Sequence, residues 1–147
     1  QSEAPGFHRK MVLKPCFTVW EDERGVALPD GVVRNPGHFV PLNSLTPGSP
    51  TSVYWLKMPL STGKAFDREL VLRFTHLTYV DGYLYRGDSC LWQGKAGPFR
   101  PGSLIREGDS RFHLTLPLAP GETYTLLLRV HHWRNGYRSR VRAVRQQ

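Results

Sequence analysis

Long hydrophobic runs are missing from this sequence. No stretch approaches the roughly 20 consecutive apolar residues that a membrane-spanning helix needs, so a soluble domain is expected. Cysteine is scarce: Cys16 and Cys90 are the 2 present, and their separation matches no metal-binding spacing. They allow one long-range disulfide in an oxidising compartment, or two small residues packed in separate strands. Also absent are a Gly-rich phosphate loop, a dinucleotide-binding fingerprint and a G-x-S-x-G elbow. That removes the usual signatures of nucleotide binding and serine hydrolysis. His131 and His132 are adjacent, so on a strand they point to opposite faces and cannot chelate one metal together. No EF-hand spacing exists, and a structural calcium would have to draw on loop carboxylates such as Asp22, Asp30 or Asp109. Acidic residues are few and gather in turns, which disfavours a glycosidase pair. No catalytic residue, cofactor or metal is therefore expected.

Negative charge is the scarcer sign, with 12 Asp and Glu against 20 Lys and Arg and a net charge of +8. The densest basic block is terminal (Arg134, Arg138, Arg140, Arg142 and Arg145), which fits a solvated strand and tail better than a nucleic-acid surface. No nucleic-acid partner is expected. The polar opening Gln1-Ser2-Glu3-Ala4-Pro5 suits either a chain whose export signal has been cut away or an arbitrary boundary.

What is abundant points to short strands. The 12 Pro and 14 Gly are scattered in ones and twos, as in the turns of an all-β domain. Lys10 to Trp20 predicts a strand on each side of Pro15, EDERG (21–25) a turn, and PDG and NPG a loop. Residues 52–60 (SVYWLKMPL) and 69–75 (ELVLRFT) predict strands. Within 77–86 (LTYVDGYLYR), Asp81-Gly82 marks a hairpin turn or a bulge, and 89–93 (SCLWQ) follows as a short strand. Alternation is clearest late in the chain. Phe112, Leu114, Leu116 and Leu118 share one face; Tyr124, Leu126, Leu128 and Val130 repeat the pattern after the Ala119-Pro120-Gly121-Glu122 turn. A last strand is expected at 138–144. The sum is an all-β, jelly-roll β-sandwich of two antiparallel sheets with about eight or nine strands. One domain over 1–147 is expected, with 1–14 as lead-in and 15–144 as the sandwich core.

Tyr54-Trp55-Leu56-Lys57, then ELVLRF (69–74), VDGYLY (80–85), Gly94 and APGETYTLLLRV (119–130) together form an ordered set of motifs. In that order they resemble the type-2 extracellular domain of seven-transmembrane receptors with diverse intracellular signalling modules (DISM). The Trp20-Glu21-Asp22 turn and Phe39-Val40-Pro41-Leu42 fit its N-terminal half. Two departures stand out. The acidic residue of the family's L-D-x-V strand is displaced to Asp81, with Gly82 intruding, and the family's loop arginine corresponds to Arg100 or Arg106. The resemblance implies a periplasmic, non-catalytic sensor domain akin to carbohydrate-binding modules. Its expected partners are a small-molecule or carbohydrate ligand and, in the same protein, a membrane region and a cytoplasmic signalling module; a homodimer is compatible with it. The alternatives are a secreted carbohydrate-binding module of a polysaccharide-active enzyme, or a structural dimerisation domain without a ligand.

Sugar recognition needs flat rings to stack on pyranose C–H faces and planar polar groups to pair with hydroxyls. Candidates are Tyr83, Tyr85 and Trp92 in the central strands, Phe99 and Arg100 in the GPFRPG loop, and Trp133 and Arg134 in HHWRNGYR. Tyr79 shares a strand face with Tyr83 and Tyr85 if pairing is unbroken. Trp55, in the most apolar strand, is expected to be core. Arg73, Arg86, Arg100 and Arg129 suit a solvated strand face or pairing with hydroxyls and carboxylates.

Overall fold

The computed structural model describes residues 10–12, 17–44, 52–66, 69–74, 79–96, 112–131 and 142–146. In chain order the elements are β1 (Lys10–Val12), β2 (Thr18–Asp22), α1 (Pro29–Val33), β3 (Val40–Pro41) and β4 (Val53–Ser61). β5 (Glu69–Phe74), β6 (Tyr79–Arg86), β7 (Ser89–Ala96), β8 (Phe112–Leu116), β9 (Thr123–His131) and β10 (Arg142–Gln146) follow. One sheet has four strands in the order β1-β10-β5-β8, and the other has six in the order β3-β2-β4-β9-β6-β7. Every pairing is antiparallel. β1 lies inside the segment expected as lead-in and pairs with β10 along Lys10↔Val144 to Val12↔Arg142.

The two sheets face each other across one apolar cluster, which makes the fold a β-sandwich. Leu72, Leu114 and Leu116 come from the four-stranded sheet; Val19, Tyr54, Leu56, Met58, Val80, Leu126, Leu128 and Val130 come from the six-stranded one. The inward set expected from alternation in β9, Tyr124 to Val130, is buried throughout. Burying each such Leu or Val contributes roughly 1.5–3 kcal/mol. Two glycines with positive φ close turns: Gly87 (φ 59) between β6 and β7, and Gly121 (φ 69) in the expected turn before β9. The second turn is pinned to the β4–β5 connection, where the Gly121 amide donates to the Gly63 carbonyl at 3.0 Å and the Thr62 hydroxyl donates to the Ala119 carbonyl at 2.6 Å.

Asp81-Gly82 is neither a turn nor a bulge. β6 runs unbroken through both, with Gly82 opposite Gly94 on β7 and Leu128 on β9. The irregularity lies further on, where Leu84 pairs with Trp92 and Tyr85 with Cys90, leaving Leu91 as the extra residue. Glycine is required in β6 because the Trp92 indole lies over both strands. A Cβ at Gly94 would stand 2.4 Å from Trp92 Cζ2, and one at Gly82 would stand 2.8 Å from Leu114 Cδ1. Gly94→Val should therefore push the indole out of the core and cost about 1–3 kcal/mol, the usual range for overpacking. Urea unfolding measures it; an unchanged midpoint would show that the indole does not occupy this space.

The PDG stretch, expected as loop, forms α1. Leu28 caps it in extended conformation, and Pro29 occupies the first turn, where its fixed φ suits a helix start and its missing N–H is not needed. Val32 on this short helix is buried. Cys90 is a free, exposed thiol, which overturns both the buried and the disulfide readings for that residue; Cys16 lies outside the described residues.

Candidate functional site

Outward-pointing residues of the six-stranded sheet form an unusual second surface. Strand register places Trp20, Trp55, Arg129, Asp81 and Lys95 in one continuous cross-strand row. A neighbouring row runs Thr18, Lys57, Leu127, Tyr83 and Gln93. On a solvated face such residues would be exposed, yet Trp55 and Leu127 are 0% exposed and Tyr85 is 1% exposed. The cover is the segment 23–39, which crosses this face and builds a second apolar cluster of Val32, Val53, Trp55, Tyr85 and Leu127.

Three polar anchors hold that strap. Asp22 accepts from the Gly25 amide at 3.0 Å, the Ala27 amide at 3.1 Å and Trp55 Nε1 at 3.4 Å. Asp30 accepts from the Tyr85 hydroxyl at 2.6 Å. Burial, and then this carboxylate, push the Tyr85 pKa well above the ordinary tyrosine range. Arg129 Nη2 donates to the Gly25 carbonyl at 3.2 Å, and Gly25 itself needs its positive φ of 67°. At the far end, the Lys57 ammonium lies 4.3 Å from the Phe39 ring centroid, and burial lowers its pKa. Asp22 and Asp30, two of the loop carboxylates on which a structural calcium would have had to draw, are engaged within the protein. Among the described residues no group of three or more His, Cys, Asp or Glu is arranged to hold a metal ion; Asp109 lies outside them.

Beyond the strap, one end of the face carries a polar cluster. Arg129 Nη1 sits 3.6 Å from Asp81 Oδ2, and their side chains are 20% and 10% exposed. The same nitrogen contacts His131 Nε2. The guanidinium also lies 5.8 Å from the Trp55 ring centroid. Tyr79 stands opposite His131, and the half-buried Tyr83 packs against Trp55 with centroids 6.3 Å apart. Exposed Gln93 and Lys95 complete the edge on β7. Here an aromatic ring, a guanidinium, an imidazole and a carboxylate share one surface, the combination that hydroxyl-rich ligands require.

The expected site residues divide between the two faces. Tyr83 and Tyr85 lie on the outer face, but Tyr85 is under the strap with its hydroxyl engaged by Asp30. Trp92 is on the opposite side of the sheet, half-buried against the inter-sheet core. Phe99, Arg100, Trp133 and Arg134 lie outside the described residues. The strands leading to them, β7 and β9, end at Ala96 and His131, at the same end of the sheet as Tyr79. Asp81 and His131 were not among the residues expected to bind, and Arg129 was expected mainly on a solvated strand face. Opposite charges at outward positions of two strands were the one available signal, and only the β6–β9 register makes them neighbours.

The sequence model of the family described as 7TMR-DISM extracellular 2 matches residues 14–134. Among solved structures, Faecalibacterium prausnitzii β-glucuronidase is similar, with a TM-score of 0.53 and 14% sequence identity. The likeness covers 89% of this chain but 22% of that one, and it speaks to the β-sandwich fold alone. Comparison with curated proteins finds no match.

Proposed function

The chain belongs to the 7TMR-DISM extracellular 2 family, and from that extracytoplasmic sensor class we propose a periplasmic domain that binds a carbohydrate or related envelope fragment without catalysing its conversion. The family places such domains in the same protein as a seven-transmembrane region. Ligand occupancy would pass through that region to a cytoplasmic output module. Residues 1–147 would act as one ligand-binding unit.

One observation carries the reading. The outer face of the six-stranded sheet brings Tyr83, Asp81, Arg129 and His131 together beside the strap. Tyr83 offers a ring for C–H stacking, while Gln93 and Lys95 rim the same rows. Phe99, Arg100, Trp133 and Arg134, outside the described residues, remain proposed contributors. A net charge of +8 favours acidic glycans over neutral ones at low salt.

Calorimetric titration of glycans against the wild type and Tyr83→Ala tests this. The variant should lose at least about tenfold in affinity, or 1.4 kcal/mol, while unfolding stability falls by no more than about 2 kcal/mol. Undiminished affinity in a folded variant would remove Tyr83 from the site. For an acidic glycan, affinity should also fall as salt rises.

A further inference from the structure

At the opposite end of the Trp20–Lys95 row, a cavity of about 300 Å³ opens between β2 and α1, lined by Trp20, Ala27, Leu28, Gly31, Val32, Asn35 and His38. We propose that it is a separate binding site for one uncharged six-membered ring with an apolar face and hydroxyl or amide substituents, the chemistry of an N-acetylhexosamine. The inference does not depend on the reading of the Tyr83–Arg129 cluster.

Size comes first. Small-molecule pockets begin at about 300 Å³, so this one has room for a single ring. Charge comes second: among the described residues the lining contains no Asp, Glu, Lys or Arg. The Asp30 carboxylate, next to Gly31 in the chain, accepts from the Tyr85 hydroxyl. An ion entering here would give up water without gaining a partner, which is costly; a neutral ring would not. Shape comes third. Trp20 supplies a large flat ring, with His38 tilted 31° to it at 5.2 Å and Phe39 behind at 6.5 Å. The indole is therefore braced, and little rotamer freedom is left to lose on stacking. Ala27, Leu28 and Val32 make an apolar wall, with Leu28 75% exposed in the free protein. Asn35 offers an amide that both donates and accepts, and His38 offers a ring nitrogen.

Gly31 provides a control that does not disturb the core. A Cβ there meets nothing within 4 Å, and its φ is not in the left-handed range. A larger side chain would therefore extend into open space and would improve the helix.

The experiment is a titration of the folded domain with N-acetylglucosamine, glucosamine and glucuronate at millimolar concentration, following the Trp20 indole N–H by NMR. That resonance is assigned with Trp20→Phe. N-acetylglucosamine should shift it saturably, and the two charged sugars should bind at least about tenfold more weakly. Gly31→Leu and Asn35→Ala should each weaken the neutral ligand by at least about tenfold, whereas Tyr83→Ala should leave it unchanged. An unmoved Trp20 resonance with all three sugars would overturn the proposal. So would equal binding of the charged forms, or full binding by Gly31→Leu. A loss caused by Tyr83→Ala alone would place the sugar in the other cluster and likewise overturn it.

Discussion

Trp55→Ala should lower the unfolding free energy by about 3–5 kcal/mol, the range for truncating a fully buried aromatic. Trp55 is the largest of the fully buried side chains among the described residues, yet it does not belong to the inter-sheet core. It sits in the second cluster, beneath the strap, with Val32, Val53, Tyr85 and Leu127. Its loss opens a void there and takes away the indole N–H donated to Asp22. Because Asp22 also receives the Gly25 and Ala27 amides, loosening it should raise amide exchange across 23–33. Denaturant unfolding read beside hydrogen exchange distinguishes this outcome from a general loss of stability. A cost below about 1 kcal/mol would mean that the strap does not cover the indole.

The second large effect concerns the Arg129–Asp81 pair. Asp81→Ala should cost about 3 kcal/mol, the low end for removing one partner of a buried ion pair. Arg129 would remain with the His131 ring and the Gly25 carbonyl but without a compensating charge. Removing Arg129 as well should restore part of the loss, so a double-mutant cycle should show a coupling of about 0.5–3 kcal/mol. A surface pair would behave differently. Arg34–Asp88 and Arg86–Glu122, at 3.7 Å each and largely exposed, should give at most about 1 kcal/mol. If Asp81→Ala fell in that lower range, the cluster would be an ordinary solvated face.

Much of the sandwich was legible in the sequence because alternation and turn chemistry are local. Tyr124, Leu126, Leu128 and Val130 announce the inner face of β9 without any knowledge of the partner strand, and Ala119-Pro120-Gly121-Glu122 announces the turn before it. Among the described residues, eight strands of five residues or more agree with the expected eight or nine. Legibility ended where burial depends on a distant segment. Leu127 lies on the face opposite that inward set, yet it is buried because residues 23–39 return over it. That strap has no period of its own, and α1 reads locally as Pro-Asp-Gly turn chemistry. Its anchors act across the chain: Asp22 meets Trp55 33 residues away, and Asp30 meets Tyr85 55 residues away. Trp92 is a comparable case. Its composition and strand position suited either face, and the pair Gly82 and Gly94 that seats it becomes visible only when β6 and β7 are placed in register.

The candidate site shows the same division. The family resemblance marked Val80 to Tyr85 as a motif, and the match over residues 14–134 bears the family out. What the displaced acidic residue does followed from the fold: at Asp81 it points outward, opposite Arg129. The intruding glycine beside it points inward, beneath an indole.

The most direct test of ligand sensing on this face is backbone chemical-shift mapping with the glycan that binds best on an array of neutral and acidic glycans. The largest shifts should fall on Tyr79, Asp81, Tyr83, Gln93, Arg129 and His131, with Leu70 to Leu72 and Leu114 to Leu116 of the four-stranded sheet unmoved. Shifts centred on that other sheet, or an array with no binder, would contradict the account.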